Sequence, residues 1–457
     1  MTVTSAAKEA DTSGRALDGL SALNLVPARL SFSSDKFPKL THYLFRYPAK
    51  FHPPVVQSLL DRYTKPGDLI LDPFCGSGTL MVEASVARRP SVGFDVDPLS
   101  VLLANAKVSR FQPKVLQENA DRLLKSLIVT QRSSADYQRL MKKDISVAKY
   151  DRDAAELSGE IPAIPNLFHW FRRYVIVDLA NIRKCIALLP CSDNHRQFFD
   201  VVFASIIRNA SNADPVAVSG LEFTAHMRRR DEAGRIVDPY GLFAAALHKA
   251  IKAVTEFTRA SRGGEPAEAF IGDATKIGSY LADPVDGIIT SPPYHGAVDY
   301  YRRHQLEHFW LGLTASQDDR LQLLGQYIGR PKVPQSDRFV IDGVLATGLA
   351  KDWESRIRDV SPERADAFKH YLVAMQKTFA GLGSVTKSGG PVAMVVGHSS
   401  WNSSQIPTTQ LFAEISQEWF DLEAVWWYPV KNRYMSYERH NDANIETEYV
   451  LVFRRKD

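Results

Sequence analysis

"LILDPFCGSGT" (residues 69–79) is a short apolar run that ends on an aspartate and a proline and opens into two glycines one residue apart. Before it, "PVVQSLLDRY" has helical spacing and "KPGD" interrupts it; after it, "LMVEASVARR" is helical again. "PSVGFDVDP" then supplies a second strand and "LSVLLANAKV" a further helix, an alternation that predicts an α/β fold on a mostly parallel sheet. A strand feeding a glycine turn and a helix start suits a nucleotide-like ligand. Gly76 and Gly78 permit close backbone approach, and the first helical turn offers unpaired N–H groups. Neither the GxGxxG nor the GxxxxGK[ST] pattern is matched, and no lysine stands where terminal phosphates would need one, which disfavours a dinucleotide or ATP. The plainer alternative is a tight turn with no ligand.

The acidic residues around this turn narrow the reading. Asp95 stands at the end of the second strand, where a carboxylate can accept both hydroxyls of a ribose. Asp97 competes for that role but reads better as a helix N-cap, because Pro98 follows it. Asp273, in "IGDAT", again follows a short apolar run. In a parallel sheet the ends at Asp72, Asp95 and Asp273 share one edge.

The composition is that of an ordinary globular protein. Of 457 residues, 45% are hydrophobic and 24% charged, which excludes fibrous and disordered classes, and a net charge of +4 is too small over this length to identify a partner. Cys75, Cys185 and Cys191 form no CxxC pair and leave an odd thiol, which argues against a disulfide framework or a structural zinc site and fits a reducing cytoplasm. The twelve histidines show no HExxH spacing, so no metal is expected. The N-terminus lacks an apolar core of signal-peptide type and no apolar stretch approaches 20 residues, so no membrane association is expected.

Along the chain, residues 1–35 read as a flexible tail, and residues 36–107 and 266–457 carry the α/β pattern. Residues 108–265 are helical in rhythm and form a large insertion; a smaller irregular block occupies 313–360. Further strands are expected in "AEAFIGDAT", "VDGIITSPPY", "GGPVAMVVGHSS", "FDLEAVWWYPV" and "TEYVLVFRR". "SPERADAFKHYLVAMQ" opens as a helix should, with Ser361 as N-cap, Pro362 first and Glu363 in the first turn. In "NLFHWFRRY", Phe168, Phe171 and Val175 fall on one helical face and read as core.

"DPFCGSGT", "GFDVDP", "GDA" and "TSPPY" resemble the successive motifs of S-adenosylmethionine-dependent DNA amino-methyltransferases, and "SPPY" resembles the N4-cytosine branch. The resemblance covers about residues 40–107 and 268–456 and implies a class I, Rossmann-like methyltransferase with a mostly parallel seven-stranded sheet. It implies that Asp72, Phe74, Gly76 and Gly78 surround the methionine part of S-adenosylmethionine, with Lys50 or Thr79 taking its carboxylate. It places Asp95 at the ribose, Asp273 at the adenine amino group and Ala274 at the adenine edge.

The turn Ser291, Pro292, Pro293, Tyr294 then acquires a mechanism. An exocyclic base nitrogen has its lone pair delocalised into the ring and needs acceptors to draw its hydrogens out of plane. The Ser291 hydroxyl and the Pro292 carbonyl supply them, and two prolines fix their direction. Tyr294 would stack on a base flipped out of double-stranded DNA. Basic clusters offer Arg228, Arg229 and Arg230 in "HMRRRDEAGR", Arg302 and Arg303 in "YYRRHQ" and Arg433 in "KNRYMSYERH" as DNA contacts. For "HMRRR" a solvated helix face is an equal alternative.

One departure stands out. Only 18 residues separate Asp273 from Ser291, too few for a target-recognition block between them, so recognition is expected from the two insertions. The resulting expectation is a cytosine-N4 DNA methyltransferase, cytoplasmic and held at the nucleoid by DNA, with a restriction endonuclease as a conceivable partner and the oligomeric state open. The alternatives are adenine-N6 methylation, guanine-N2 methylation of RNA, or a cofactor-sensing DNA-binding protein without activity.

Overall fold

The computed structural model describes residues 25–32, 37–48, 50–215, 220–296, 300–330, 344–402, 404–430 and 447–457. Its strands, in chain order, are β1 (Ala28–Arg29), β2 (Ile70–Asp72), β3 (Ser91–Asp95), β4 (Ala267–Ile271), β5 (Gly287–Thr290), β6 (Pro391–Gly397), β7 (Ser399–Trp401), β8 (Ser404–Ile406), β9 (Phe420–Pro429) and β10 (Thr447–Arg455). Eight of them form one sheet in the order β1-β9-β10-β6-β5-β2-β3-β4, and β7 pairs only with β8. From β4 to β6 every pairing is parallel, while β10 runs antiparallel to both neighbours.

Seven of the eight are the expected strands. The eighth, β1, corrects the boundary of the N-terminal tail. Ala28 and Arg29 pair with Trp426 and Trp427, the Leu30 N–H donates to the Trp427 carbonyl at 2.8 Å, and Leu30 is buried. Two residues are too few to show a period of two, so the strand leaves no pattern to read.

β5 and β6 are buried along their whole length, as central strands of a parallel sheet are when helices cover both faces. Alternate residues serve opposite layers. Ile288, Val392, Met394 and Val396 join a core with Phe368, Phe379 and Phe412, whereas Ile289, Ala393 and Val395 join one with Val55, Val56 and Leu59. The glycine turn is fixed by contact as well as by torsion. Gly78 has φ +75°, and a Cβ there would lie 2.8 Å from Ala104 in the helix Pro98–Val108.

The insertion is helical, from Pro113–Ile128 to Pro239–Ala260, and its core is continuous with that of the α/β part. Phe111, Phe198 and Phe203 share one apolar cluster with Leu99, Leu103 and Ala106 of the helix after β3 and with Leu306, Phe309 and Trp310 of the helix Tyr300–Trp310. Two local expectations are corrected. The short helix Leu167–Trp170 ends at Phe171 before Arg173–Leu188 begins, so the supposed common face is split and Phe168 is 56% exposed while Phe171 and Val175 are buried. Ser361 does precede the helix Pro362–Val385, but its side chain makes no capping hydrogen bond.

Candidate active site

The chain lays β2, β3 and β4 outward in one direction and then returns to place β5 and β6 on the other side of β2. Ligands of such sheets sit in the crevice beyond the strand ends where the order reverses. There the structure has a cleft of about 820 Å³, open to solvent, lined by Lys50, Asp72, Phe74, Gly76, Thr79, Asp95, Asp273, Ala274, Ser291 and Pro293. Gly78 lies beneath it as the N-cap of the helix Thr79–Val86. The cleft thus gathers residues from three widely separated stretches of sequence.

The three strand ends close in the same way. Asp72 accepts the Phe74 N–H at 3.2 Å, Asp95 the Asp97 N–H at 2.9 Å and Asp273 the Thr275 N–H at 2.9 Å, each from the backbone two residues on. Asp95 uses its other oxygen on the Gly76 N–H at 2.9 Å, tying the second strand to the glycine turn. Asp72 also accepts the Thr290 hydroxyl at 2.6 Å, tying the turn to the end of β5. This side of the cleft is therefore stitched together by its own carboxylates.

Burial decides the charge of two of them, Asp72 and Asp95. Asp72 is pushed up to about 7 by desolvation, against the pull of its bonds to Thr290 and Phe74. Asp95 is likewise raised to about 7, by burial and then by the charge of Asp97. Asp97 caps its helix through the Leu99 N–H at 2.8 Å; burial acts to raise it, but His308 at 3.1 Å outweighs that and holds it at about 2. Lys50 donates to the His42 carbonyl at 2.9 Å and is lowered to about 8 by burial.

Ser291 opens the turn after β5 at the cleft wall, and its hydroxyl donates to the Val395 carbonyl at 3.4 Å. Pro293 lines the cleft, and its carbonyl accepts the Tyr371 hydroxyl at 3.1 Å. Pro292 is buried behind that wall. Tyr294 does not line the cleft; its hydroxyl donates to Glu448 at 2.9 Å. Further along, Ser399 donates to the His295 carbonyl at 3.0 Å and Gly296 to the Gly329 carbonyl at 2.9 Å.

Several residues escaped sequence reading. Gln326, Tyr327 and Ile328, from the smaller insertion, line the cleft. Tyr47 lines it too, with its hydroxyl 2.8 Å from that of Ser100. Lys107 is wholly buried and donates to the Ser77 carbonyl at 2.6 Å, propping the glycine turn from below. In the sequence it falls four residues after Leu103 on the apolar face of its helix, and nothing local announces the carbonyl that receives it.

Of the proposed DNA contacts, Arg228, Arg229 and Arg230 are exposed on the helix Ala225–Glu232, with Arg228 5.4 Å over the Phe223 ring. Arg302 is exposed with its stem against Gly220, and the carbonyl of half-buried Arg303 accepts from Arg208 at 2.6 Å, joining this helix to the insertion. Arg433 lies outside the described residues.

The donor set fits S-adenosylmethionine. Carboxylates at two strand ends suit ribose and adenine donors, Phe74, Leu80 and Ile328 give flat apolar surface, and Lys50 supplies a cation for an amino-acid carboxylate. Two carboxyls poised near neutrality also favour a ligand that brings positive charge.

The family profile described as DNA methylase matches residues 28–105. The chain is similar to the Type II methyltransferase M.MvaI of Kocuria varians, 22% identical over 85% of this chain and 84% of that one. It is similar also to the Type II methyltransferase M.MjaII of Methanocaldococcus jannaschii, 29% identical over 67% of this chain and 68% of the other. Among solved structures, TrmN from Thermus thermophilus is matched over 89% of this chain and 49% of that one at 11% identity and a TM-score of 0.30, a superposition too loose to inform the chemistry.

Proposed function

We propose that this chain, which belongs to the S-adenosylmethionine-dependent N4/N6 amino-methyltransferases of DNA, methylates the exocyclic N4 of cytosine in a base turned out of the duplex. The observation that carries the choice of base is Ser291, a hydroxyl at the cleft wall where a carboxylate or amide would suit adenine better. S-adenosylmethionine supplies an electrophilic methyl group when bound. Everything else falls to the chain.

Donation to Val395 occupies the Ser291 hydrogen and leaves the oxygen lone pairs as acceptors for the amino group. The Pro292 carbonyl provides the second acceptor, and Tyr371, by engaging the neighbouring Pro293 carbonyl, fixes the peptide between them. Acceptors set in advance need no rearrangement as charge develops on the nitrogen. The nitrogen sheds a proton as it gains its substituent, and Ser291 is the first oxygen in line to pass that proton to solvent at the open cleft.

DNA is embraced by the helical insertion and the 313–360 block. The exposed arginines at 228–230 and Arg302 suit phosphate contacts, while Tyr294 stacks on the extruded base. The relatives named as Type II methyltransferases support a place beside a restriction endonuclease, whose target this chain would protect.

The test is chemical. DNA from a methylation-free host expressing the protein, digested to nucleosides, is expected to contain N4-methylcytosine. N6-methyladenine alone would overturn the base assignment, and neither product would overturn DNA methylation itself.

A further inference from the structure

The cleft edge of the sheet holds a carboxylate that no parallel strand end announces. β10 runs antiparallel, so its beginning lies beside the end of β6, where Glu448 pairs with Gly397 on one side and Tyr428 on the other. Each Glu448 oxygen receives one phenol. Oε1 accepts from Tyr294 at 2.9 Å, and Oε2 accepts from Tyr428.

The two tyrosines differ in mobility of setting. Tyr428 is 3% exposed in a strand and its ring meets Phe32 edge-on at 5.6 Å, so this end of the bridge is anchored in the core. Burial and the charge of Glu448 push the Tyr428 phenol well up, which keeps it a donor across any working pH. Tyr294 is half-buried on an irregular turn. A carboxylate tied at one oxygen to the core and at the other to that turn holds the phenol oxygen of Tyr294, and because a phenolic O–H prefers the plane of its ring, the direction of the bond favours one ring plane.

We propose that Glu448 is a positioning residue for base stacking, holding the Tyr294 ring in the orientation that receives the extruded base. This rests on the reading of Tyr294 as the stacking side chain. A ring oriented before the base arrives loses less freedom on binding, which is where the bridge gains its effect.

A double-mutant cycle tests it, using single-turnover transfer of labelled methyl to duplex DNA from a methylation-free host. Glu448→Ala and Tyr294→Phe should each slow transfer about tenfold, the scale of one charge-assisted hydrogen bond, while cofactor affinity measured by calorimetry stays unchanged. The double variant should be no slower than the slower single one, and Glu448→Gln, which keeps a carbonyl acceptor, should recover part of the rate. Should Glu448→Ala fail to fold, the same cycle run with Glu448→Gln decides. The clamp is overturned if substitution of Glu448 slows transfer equally in the Tyr294→Phe background, or if cofactor affinity falls in step with the rate. Absence of any transfer by the wild-type protein, by contrast, removes the methylation reading on which the clamp depends.

Discussion

The two halves of the cleft are held in opposite ways. On the side proposed for the cofactor, Asp72, Asp95 and Asp273 are each pinned by a backbone N–H two residues further along the same chain. On the base side the turn at 291–296 is held from afar, Ser291 by Val395, Pro293 by Tyr371, Tyr294 by Glu448 and Gly296 by Gly329. The first half adds distant ties, Thr290 to Asp72 and Lys107 to the Ser77 carbonyl, but each of its carboxylates is set by its own short motif. A half built from distant bonds exists only once the whole sheet has formed.

The largest test of this contrast is Asp95→Ala. Loss of two charge-assisted hydrogen bonds, each worth about 1.5 kcal/mol, should weaken cofactor binding about hundredfold by calorimetry, and a loss of only a few-fold would break the cofactor side of the comparison.

A change of pH is the next in size. Asp95 is raised to about 7 by burial and Asp97, so the ionised form that accepts ribose hydroxyls is gained only as the pH rises through 7. Lys50, lowered to about 8 by burial, loses its proton above 8. Cofactor affinity should therefore peak between these values and fall about sixfold from pH 7.5 to 6; a flat titration over that range would remove the Asp95 assignment, and affinity undiminished from pH 8 to 9.5 the Lys50 one.

The smallest effect sharpens the base side. Tyr371→Phe removes one neutral hydrogen bond, about 1 kcal/mol, and should slow single-turnover transfer about fivefold with cofactor affinity unchanged. Equal losses in both would show that the two halves are not separable.

The same contrast explains what could be read in advance. Apolar runs ending in aspartate are local, so the parallel strands and their acidic ends were legible, and Asp97 separated correctly from Asp95 because Pro98 marks a helix start. Glu448 was not, because it begins its strand, and only the antiparallel course of β10 brings it to the shared edge. Tyr371 lies within a long apolar helix and reads as core, which by burial it is; its hydroxyl partner is 78 residues away. Gln326, Tyr327 and Ile328 sit in a block without periodicity, so only the fold shows them facing the cleft. Phe168 was misread because a helix boundary three residues later rotated the next segment.

The apolar cluster that unites Phe198 and Phe203 with Leu99, Leu103 and Trp310 has a consequence for engineering. A region whose core ends at its own boundary could be traded between relatives like a cartridge; the core of 108–265 runs on into the helix Pro98–Val108. Excising 108–265 would strip one face of the helix that follows β3, leaving Leu99 and Leu103 in water while Ala104 keeps its packing on Met81 and Ala269. If the proposed DNA contacts hold, retargeting has to proceed by exchange of exposed side chains such as the arginines of Ala225–Glu232, on a scaffold left whole.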